Sequence, residues 1–183
     1  MKSRTYQLSS RKNQFNANDE IYFSHANTRL LSAEQLLDGI CAFTDLPEKF
    51  AGLPEGTKAI GIPAPDIVKH EFLKIFGQPE RTTVCACERA GDSNLGMAIQ
   101  FFNGPLIYNK LRDQNNRFRK LLAANKPDNE IITELYLSAV CRKPTEKELQ
   151  ASLSHIAAKG DKIIALEDIC WAILNTNEYL FQH

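Results

Sequence analysis

The residues best suited to chemistry lie in one segment, 77–92, between two predicted helices. Arg81 and Arg89 are permanently charged, and their planar guanidinium groups suit a carboxylate or a phosphate. Glu88 and Asp92 can accept hydrogen bonds or protons in the same loop. The alternative is that the two arginines pair with these acids or with helix carbonyls and only hold the loop in shape. In that case, replacing a buried arginine costs on the order of 2–4 kcal/mol of stability and removes no ligand.

The cysteines provide a second set of candidates. Their number is five, so at least one thiol is unpaired within the chain. Cys85 and Cys87 lie in the same loop, where the arginines would lower a thiol pKa and make Cys87 redox-active and quick to label. Two sulfurs one residue apart do not complete the tetrahedron of a zinc site, so no metal is expected. Cys41 and Cys170 fall on apolar helical stripes and are predicted to pack in the core.

A basic stretch, 110–126, is the third candidate. It contains one acid, Asp113, and six cations: Lys110, Arg112, Arg117, Arg119, Lys120 and Lys126. Such a run suits either a nucleic-acid groove or a solvated helix face. The solvated face is favoured because Phe118 is the one aromatic residue in the stretch and the whole chain is neutral. Nucleic acid is therefore not an expected partner.

No familiar catalytic motif accompanies these candidates. The chain has no phosphate-binding P-loop, no dinucleotide-binding glycine pattern, no zinc-protease HExxH and no CxxCH for covalent haem. Ser154 and His155 are adjacent on a predicted helix, where neighbours point about 100° apart, so they do not form a nucleophile and its base. No catalytic residue is assigned.

The amino-acid composition limits the classes of protein to which this chain can belong. The 183 residues include 22 Lys and Arg against 22 Asp and Glu, with 43% hydrophobic and 24% charged residues, which is typical of one globular domain. No apolar run approaches the roughly 20 residues of a membrane span. The first ten residues lack an apolar stretch, so no signal peptide is expected in this chain. Zero net charge gives no global reason to expect nucleic acid or anionic lipid.

Helix signals predict the elements that must position these residues. Ser32 with Gln35 and Thr145 with Glu148 form capping boxes that begin two helices, and Asp128 begins another. Apolar residues at helical spacing follow each of them. We predict a mainly α fold, an irregular helical domain with long ordered loops and at most a minor β element.

The segment between the first two helices is less regular. Three prolines and three glycines in 48–65 predict a loop with one short strand near residue 60. Asp66 is predicted to cap a helix that carries Ile67 to Phe76 and ends at Gly77. The expected organisation is a single domain, with an irregular segment 1–31, helices with long loops in 32–91, and a bundle-like part in 92–183.

Five short motifs, in order, resemble one bacterial family. They are residues 3–10 (SRTYQLSS), 29–38 (RLLSAEQLLD), 76–81 (FGQPER), 87–89 (CER) and 173–181 (ILNTNEYLF). Together they resemble planctomycete surface domain one, also described as domain of unknown function fifteen fifty-three. That domain usually begins further upstream with a motif similar to Asn-Arg-x-Trp, whereas the single tryptophan here is Trp171. The chain therefore resembles the C-terminal part of the domain.

The resemblance implies a large exported, extracytoplasmic protein that ends in this module. A second uncharacterised domain and a domain like cytochrome c commonly precede it, so haem would belong to an upstream domain and no cofactor is expected in this chain. The characteristic polar positions of the family match seven residues here: Arg4, Tyr6, Arg29, Gln35, Arg81, Glu88 and Arg89. With Cys87 and Asp92, they are the candidate ligand-binding residues.

These observations favour a structural or binding module, for a glycan or another anionic ligand, that also packs against upstream domains of its own polypeptide. The alternative is a part of an extracytoplasmic hydrolytic or redox enzyme that acts on polysaccharide-related substrates; for this chain alone, catalysis is the less favoured of the two. If helices are missing upstream, apolar surface should be exposed between Tyr6 and Phe23, or the protein should self-associate to cover it.

Overall fold

The computed structural model describes residues 3–4, 7–19, 21–64, 67–78 and 104–182. The segment 79–103, and with it the loop that contains Arg81 to Asp92, lies outside the described residues, as does Tyr6. Helices dominate the described part, and the predicted mainly α fold is confirmed.

The described helices follow one another with short connections. They are α1 (Ala33–Thr44), a short 3-10 helix (Ala59–Gly61), α2 (Glu71–Ile75), α3 (Pro105–Arg112), α4 (Arg117–Ala123), α5 (Asp128–Val140), α6 (Glu146–Lys159), α7 (Lys162–Leu174) and α8 (Asn177–Leu180). None of these helices is both long and apolar enough to cross a bilayer.

Both predicted capping boxes are present. The Ser32 hydroxyl accepts a hydrogen bond from the Gln35 backbone N–H, and the Gln35 side chain accepts one from the Ser32 N–H at 3.0 Å. The same exchange joins Thr145 and Glu148 at the start of α6. These bonds satisfy backbone donors that a helix N-terminus leaves unpaired, so the two helices begin where the sequence predicts.

Helix α1 is central to the core. Its predicted apolar stripe is buried and consists of Leu36, Leu37, Ile40 and Phe43. Helices α2, α3, α4 and α5 all contact α1. The helix ends at Thr44 because Asp45 adopts a left-handed conformation with φ of 58°.

A short strand was predicted near residue 60, in the loop after α1. The structure has no strand there, so this prediction is wrong. The chain forms the 3-10 helix there because the Asp38 carboxylate of α1 accepts hydrogen bonds from the N–H groups of Ala59 (2.7 Å) and Ile60 (3.0 Å). A side chain 21 residues away in sequence thus decides the local conformation.

The predicted start of the next helix is also wrong. Helix α2 begins at Glu71, after an extended His70, and not at Ile67. His70 packs edge-on against Phe50, with 5.8 Å between ring centroids, and its Nε2 lies 3.8 Å from the Glu48 carboxylate. Tertiary contacts therefore hold this residue outside the helix. The predicted end is correct, because Gly77 has a φ of 77°.

Two short strands make the minor β element. Strand β1 (Arg29–Leu30) pairs antiparallel with β2 (Phe181–Gln182), with Arg29 opposite Gln182. The Leu31 N–H extends the pairing by donating to the Leu180 carbonyl at 3.0 Å. The N-terminal segment is thus fastened to the last residues of the described chain.

Candidate functional site

The structure describes three of the nine residues predicted to bind a ligand. Arg4 and Arg29 are exposed, the latter on β1. Gln35 uses its side-chain oxygen in the capping box of α1. No hydrogen bond or ion pair joins these three residues to one another. The remaining six, Tyr6, Arg81, Cys87, Glu88, Arg89 and Asp92, lie outside the described residues.

The basic stretch 110–126 is only partly a solvated face. The Arg117 guanidinium donates to the carbonyls of Ala42 (2.7 Å) and Phe43 (2.8 Å) at the C-terminus of α1, where a cation also offsets the helix dipole. The Lys110 ammonium, which is mostly buried, donates to the Leu46 carbonyl and to Glu48, each at 2.9 Å. The prediction of a solvated face is therefore wrong for these two side chains: Lys110 fastens α3 to the loop after α1, and Arg117 fastens α4 to the end of α1.

The ion pair with Lys110 also holds the Glu48 carboxylate in place. The His70 imidazole, 3.8 Å away, and the hydrogen bond from Lys110 lower the pKa of the Glu48 carboxyl to about 2, although partial burial alone would raise it. The group therefore stays ionised at neutral pH and serves as a fixed anchor for Lys110. A side chain committed in this way is structural.

A groove lies between α3 and α7. Its volume is about 350 Å³. The lining combines two aromatic residues with charged and aliphatic side chains: Gly104, Ile107, Tyr108, Leu111, Arg112, Glu167, Asp168 and Trp171. Tyr108 and Trp171 are both exposed to solvent, so the groove offers aromatic surface to a ligand.

Arg112 and Tyr108 form one wall of the groove. They lie four residues apart on α3, and the Arg112 guanidinium lies 4.2 Å from the centroid of the Tyr108 ring. The Arg112 Nε is 3.5 Å from Glu167, which also receives a 2.9 Å hydrogen bond from Arg119 of α4. Arg112 is largely exposed, so its guanidinium can donate to a bound molecule.

Asp168 and Trp171 lie on the opposite wall, on α7. The Asp168 Oδ2 accepts from Lys159 (2.9 Å) and contacts the His155 Nε2 (3.0 Å), both from α6. Burial alone would raise the pKa of Asp168, but the bonds with Lys159 and His155 outweigh it and lower that pKa. Asp168 is consequently an ionised acceptor at neutral pH.

Sequence reasoning missed the groove, although one signal was available. The buried stripe of α7 is Leu166, Ile169, Cys170, Ile173 and Leu174. Trp171 falls outside this stripe, and a tryptophan on the solvent side of a helix is a common mark of a binding surface. The opposing residue, Tyr108, lies 63 positions earlier in the sequence, and no local pattern joins the two.

The groove can hold a flat ligand that is rich in hydroxyl groups. Aromatic faces pack against the C–H face of a sugar ring. An exposed guanidinium and an ionised carboxylate can donate to and accept from its hydroxyl groups. No group of three or more His, Cys, Asp or Glu side chains in the described part of the chain is arranged to bind a metal ion.

The described cysteines do not line the groove, and their thiols differ in accessibility to solvent. Cys170 is buried, as predicted, and burial raises its pKa; Cys41 is half-buried against the core, and burial raises its pKa as well. Cys141 is exposed.

We expect a thiol reagent, followed by peptide mass spectrometry, to label Cys141 on the order of 10³-fold faster than Cys170, whose labelling requires unfolding. Equal rates would contradict the packing of α7 against the core.

Comparison with known proteins gives one match. The family model PSD1, described as a protein of unknown function (DUF1553), matches residues 1–156, which is most of the chain. No curated protein and no solved structure matches the chain.

Proposed function

We propose that this chain, which belongs to the PSD1 family of proteins of unknown function, is a module that binds a carbohydrate polymer in the groove between α3 and α7. The observation that carries the proposal is the pair of exposed aromatic residues, Tyr108 and Trp171, that line one groove together with Arg112 and Asp168. The family resemblance supports an exported, extracytoplasmic setting, with upstream domains of the same polypeptide as partners and any haem in one of those domains.

The charges of the groove favour binding over catalysis. A glycoside hydrolase requires a carboxylic acid that keeps its proton near neutral pH. The lowered pKa of Asp168 is the opposite of this requirement, and Glu167 is already bonded to Arg119. Asp168 therefore suits the acceptance of hydrogen bonds from sugar hydroxyl groups, whereas Glu167 anchors Arg112 and Arg119. The alternative of a redox or hydrolytic role depends on the 77–92 loop and has no support from the described residues.

The intrinsic fluorescence of Trp171 tests the proposal directly, because it is the single tryptophan of the chain. We expect titration with a cello-oligosaccharide or an oligogalacturonate to shift or quench this emission in a saturable way. A comparison of the neutral cello-oligosaccharide with the acidic oligogalacturonate shows how much the Arg112 guanidinium contributes to the binding affinity. A fluorescence signal that responds to neither probe, nor to other soluble polysaccharides, would contradict a sugar site in this groove.

Isothermal titration of variants assigns the binding to the groove. Trp171→Ala and Tyr108→Ala should each weaken the affinity for the responding probe by about tenfold, since a lost aromatic contact costs on the order of 1 kcal/mol beyond the buried area. Tyr22→Ala is the control, because Tyr22 is an exposed aromatic residue that does not line the groove. Equal losses in all three variants would overturn the assignment.

A further inference from the structure

The two acids that line the groove are each paired with cations that lie behind it. The Glu167 Oε1 accepts from Arg119 at 2.9 Å, and both side chains of this pair are mostly buried. The Asp168 Oδ2 accepts from Lys159 at 2.9 Å and lies 3.0 Å from the His155 Nε2. None of these three described partners lines the groove. The charge of both carboxylates is therefore offset before a ligand binds.

Arg112 is the cation that faces the groove itself, and its side chain is 58% exposed. Among the described residues, the groove lining and its ion-pair partners contain three cations and two acids, a net charge of +1 with His155 counted as neutral. Asp113 follows Arg112 in the sequence but does not line the groove, and its Oδ1 accepts from the Asn115 N–H at 2.7 Å. The groove therefore presents a positive charge to its ligand.

The geometry of Arg112 suits a carboxylate. The guanidinium lies 4.2 Å from the centroid of the Tyr108 ring, and its Nε is 3.5 Å from Glu167. These contacts orient the planar group through one face and its inner edge. Because the contact with Glu167 is made by Nε, the terminal Nη1 and Nη2 are left to act as the parallel pair of donors that binds both oxygens of a carboxylate.

Exposed aromatic rings alone do not define the ligand. Phe15 and Tyr22 are 88% and 86% exposed, which confirms the exposed apolar surface predicted for residues 6–23. The groove differs in that its Tyr108 ring lies against a cation and shares one concave surface with Trp171. Rings that can pack against a sugar and a cation that can bind an acid are thus combined in one place.

We infer that the groove selects an acidic polysaccharide, one whose sugar rings carry a carboxylate. This inference rests on the proposed function and names its ligand class. The carboxylate binds Arg112 on α3, and a sugar hydroxyl group donates to Asp168 on α7, whose Oδ1 is left as an acceptor because Lys159 and His155 both contact Oδ2. A neutral chain would cover the Arg112 guanidinium without supplying a charged partner, and covering an unpaired charge is unfavourable.

Titration calorimetry with two matched probes tests the ligand class. The probes are an oligogalacturonate and the same oligomer after reduction of its carboxyl groups to alcohols, so that chain length and linkage are equal. We expect the reduced probe to bind at least about tenfold more weakly, because it lacks the charge-assisted hydrogen bonds to Arg112. An increase in NaCl from about 50 to about 500 mM should weaken the binding of the acidic probe and leave that of the reduced probe nearly unchanged.

Arg112→Gln assigns this preference to one side chain. The variant should lose about tenfold in affinity for the acidic probe and stay within about twofold of the parent for the reduced probe. Arg11→Gln is the matched control, because it makes the same change at an exposed arginine that does not line the groove, and it should bind both probes as the parent does. Both arginines are exposed, so the variants are expected to fold normally, which circular dichroism checks.

The possible results separate this inference from the proposed function. Equal affinity of the parent for the two probes, or an equal loss for both probes in Arg112→Gln, would overturn the inference and leave the carbohydrate site in place. Binding of a cello-oligosaccharide but not of the oligogalacturonate would overturn it as well. If no carbohydrate probe binds or changes the Trp171 emission, the proposed function fails together with the inference.

Discussion

Replacement of Phe118 by alanine should lower the free energy of unfolding by about 3–5 kcal/mol, the largest effect we expect from a single substitution. Phe118 is 2% exposed, and it belongs to the core together with Phe43, Leu111 and Leu135. Truncation to alanine removes the buried ring and leaves a cavity that the surrounding helices fill only in part. Urea denaturation, monitored by circular dichroism, measures the change.

The matched control for this substitution is Phe15→Ala, because it makes the same chemical change at a side chain that is 88% exposed. We expect that variant to stay within about 0.5 kcal/mol of the parent. A small effect of Phe118→Ala would mean that α4 does not pack against α1, and it would favour the interpretation of segment 110–126 as a solvated helix face. Comparable losses in both variants would contradict the exposure of Phe15.

Local sequence signals predicted most helices well, because caps and apolar spacing act within a few residues. The start of α1 follows from Ser32 and Gln35, and its buried face follows from residues such as Leu37 and Ile40. The first turn of α3 likewise contains Pro105, whose fixed φ suits that position. Where these local signals and the tertiary contacts agree, the sequence is sufficient to predict where a helix begins and which face it buries.

The errors arose where contacts between distant residues determine the conformation. The 3-10 helix at Ala59 depends on the carboxylate of Asp38, and the late start of α2 depends on contacts of His70. Pairing of Arg29 with Gln182 joins residues that are far apart in sequence and that carry no strand pattern of their own. Two-residue strands are too short for an alternating pattern to be recognised.

That Tyr108 and Trp171 line the same groove could not be predicted for the same reason, and the pattern of charges was misleading in one respect. A run of cations in the sequence suggests a surface exposed to solvent. Arg117 instead donates to the carbonyls of Ala42 and Phe43, about 75 residues earlier in the sequence. Charge that stabilises a helix terminus cannot be distinguished by sequence alone from charge that binds a ligand. Among the exposed cations of this stretch, which also include Lys120 and Lys126, Arg112 is the one that lines the groove with Tyr108.

The second large effect concerns Arg142, which joins two helices through two carboxylates. Its guanidinium donates to Glu178 of α8 at 2.7 and 2.6 Å and to Glu148 of α6 at 2.8 Å twice. Such paired, charge-assisted bonds are stronger than single ones. We expect Arg142→Gln to lower the free energy of unfolding at pH 7 by about 2 kcal/mol, because both carboxylates lose their partner while partly shielded from water.

The pH dependence of this variant is the sharper test. Hydrogen bonds from Arg142 and Thr145 lower the pKa of Glu148 from 4.5 to about 2. Since the folded pKa is the lower one, the stabilisation is complete above pH 4.5 and is lost as the pH falls toward 2. The difference corresponds to about 3 kcal/mol, which partial exposure of the carboxylate reduces to about 1–2 kcal/mol. Arg142→Gln should therefore destabilise the protein at pH 7 and differ little from the parent near pH 2.

Lys49→Gln is the control for this pH dependence. It breaks the Lys49–Glu55 ion pair, whose side chains are 81% and 86% exposed. Solvent screens such a pair, so the change should stay within about 0.5 kcal/mol and should not vary with pH. Glu48, whose pKa is also about 2, keeps an acid-sensitive contribution in both variants, so neither should lose all dependence on pH below 4.5. A constant difference between Arg142→Gln and the parent from pH 7 to pH 2 would show that Arg142 contributes packing against the Tyr136 ring, 5.7 Å away, and not ion pairing.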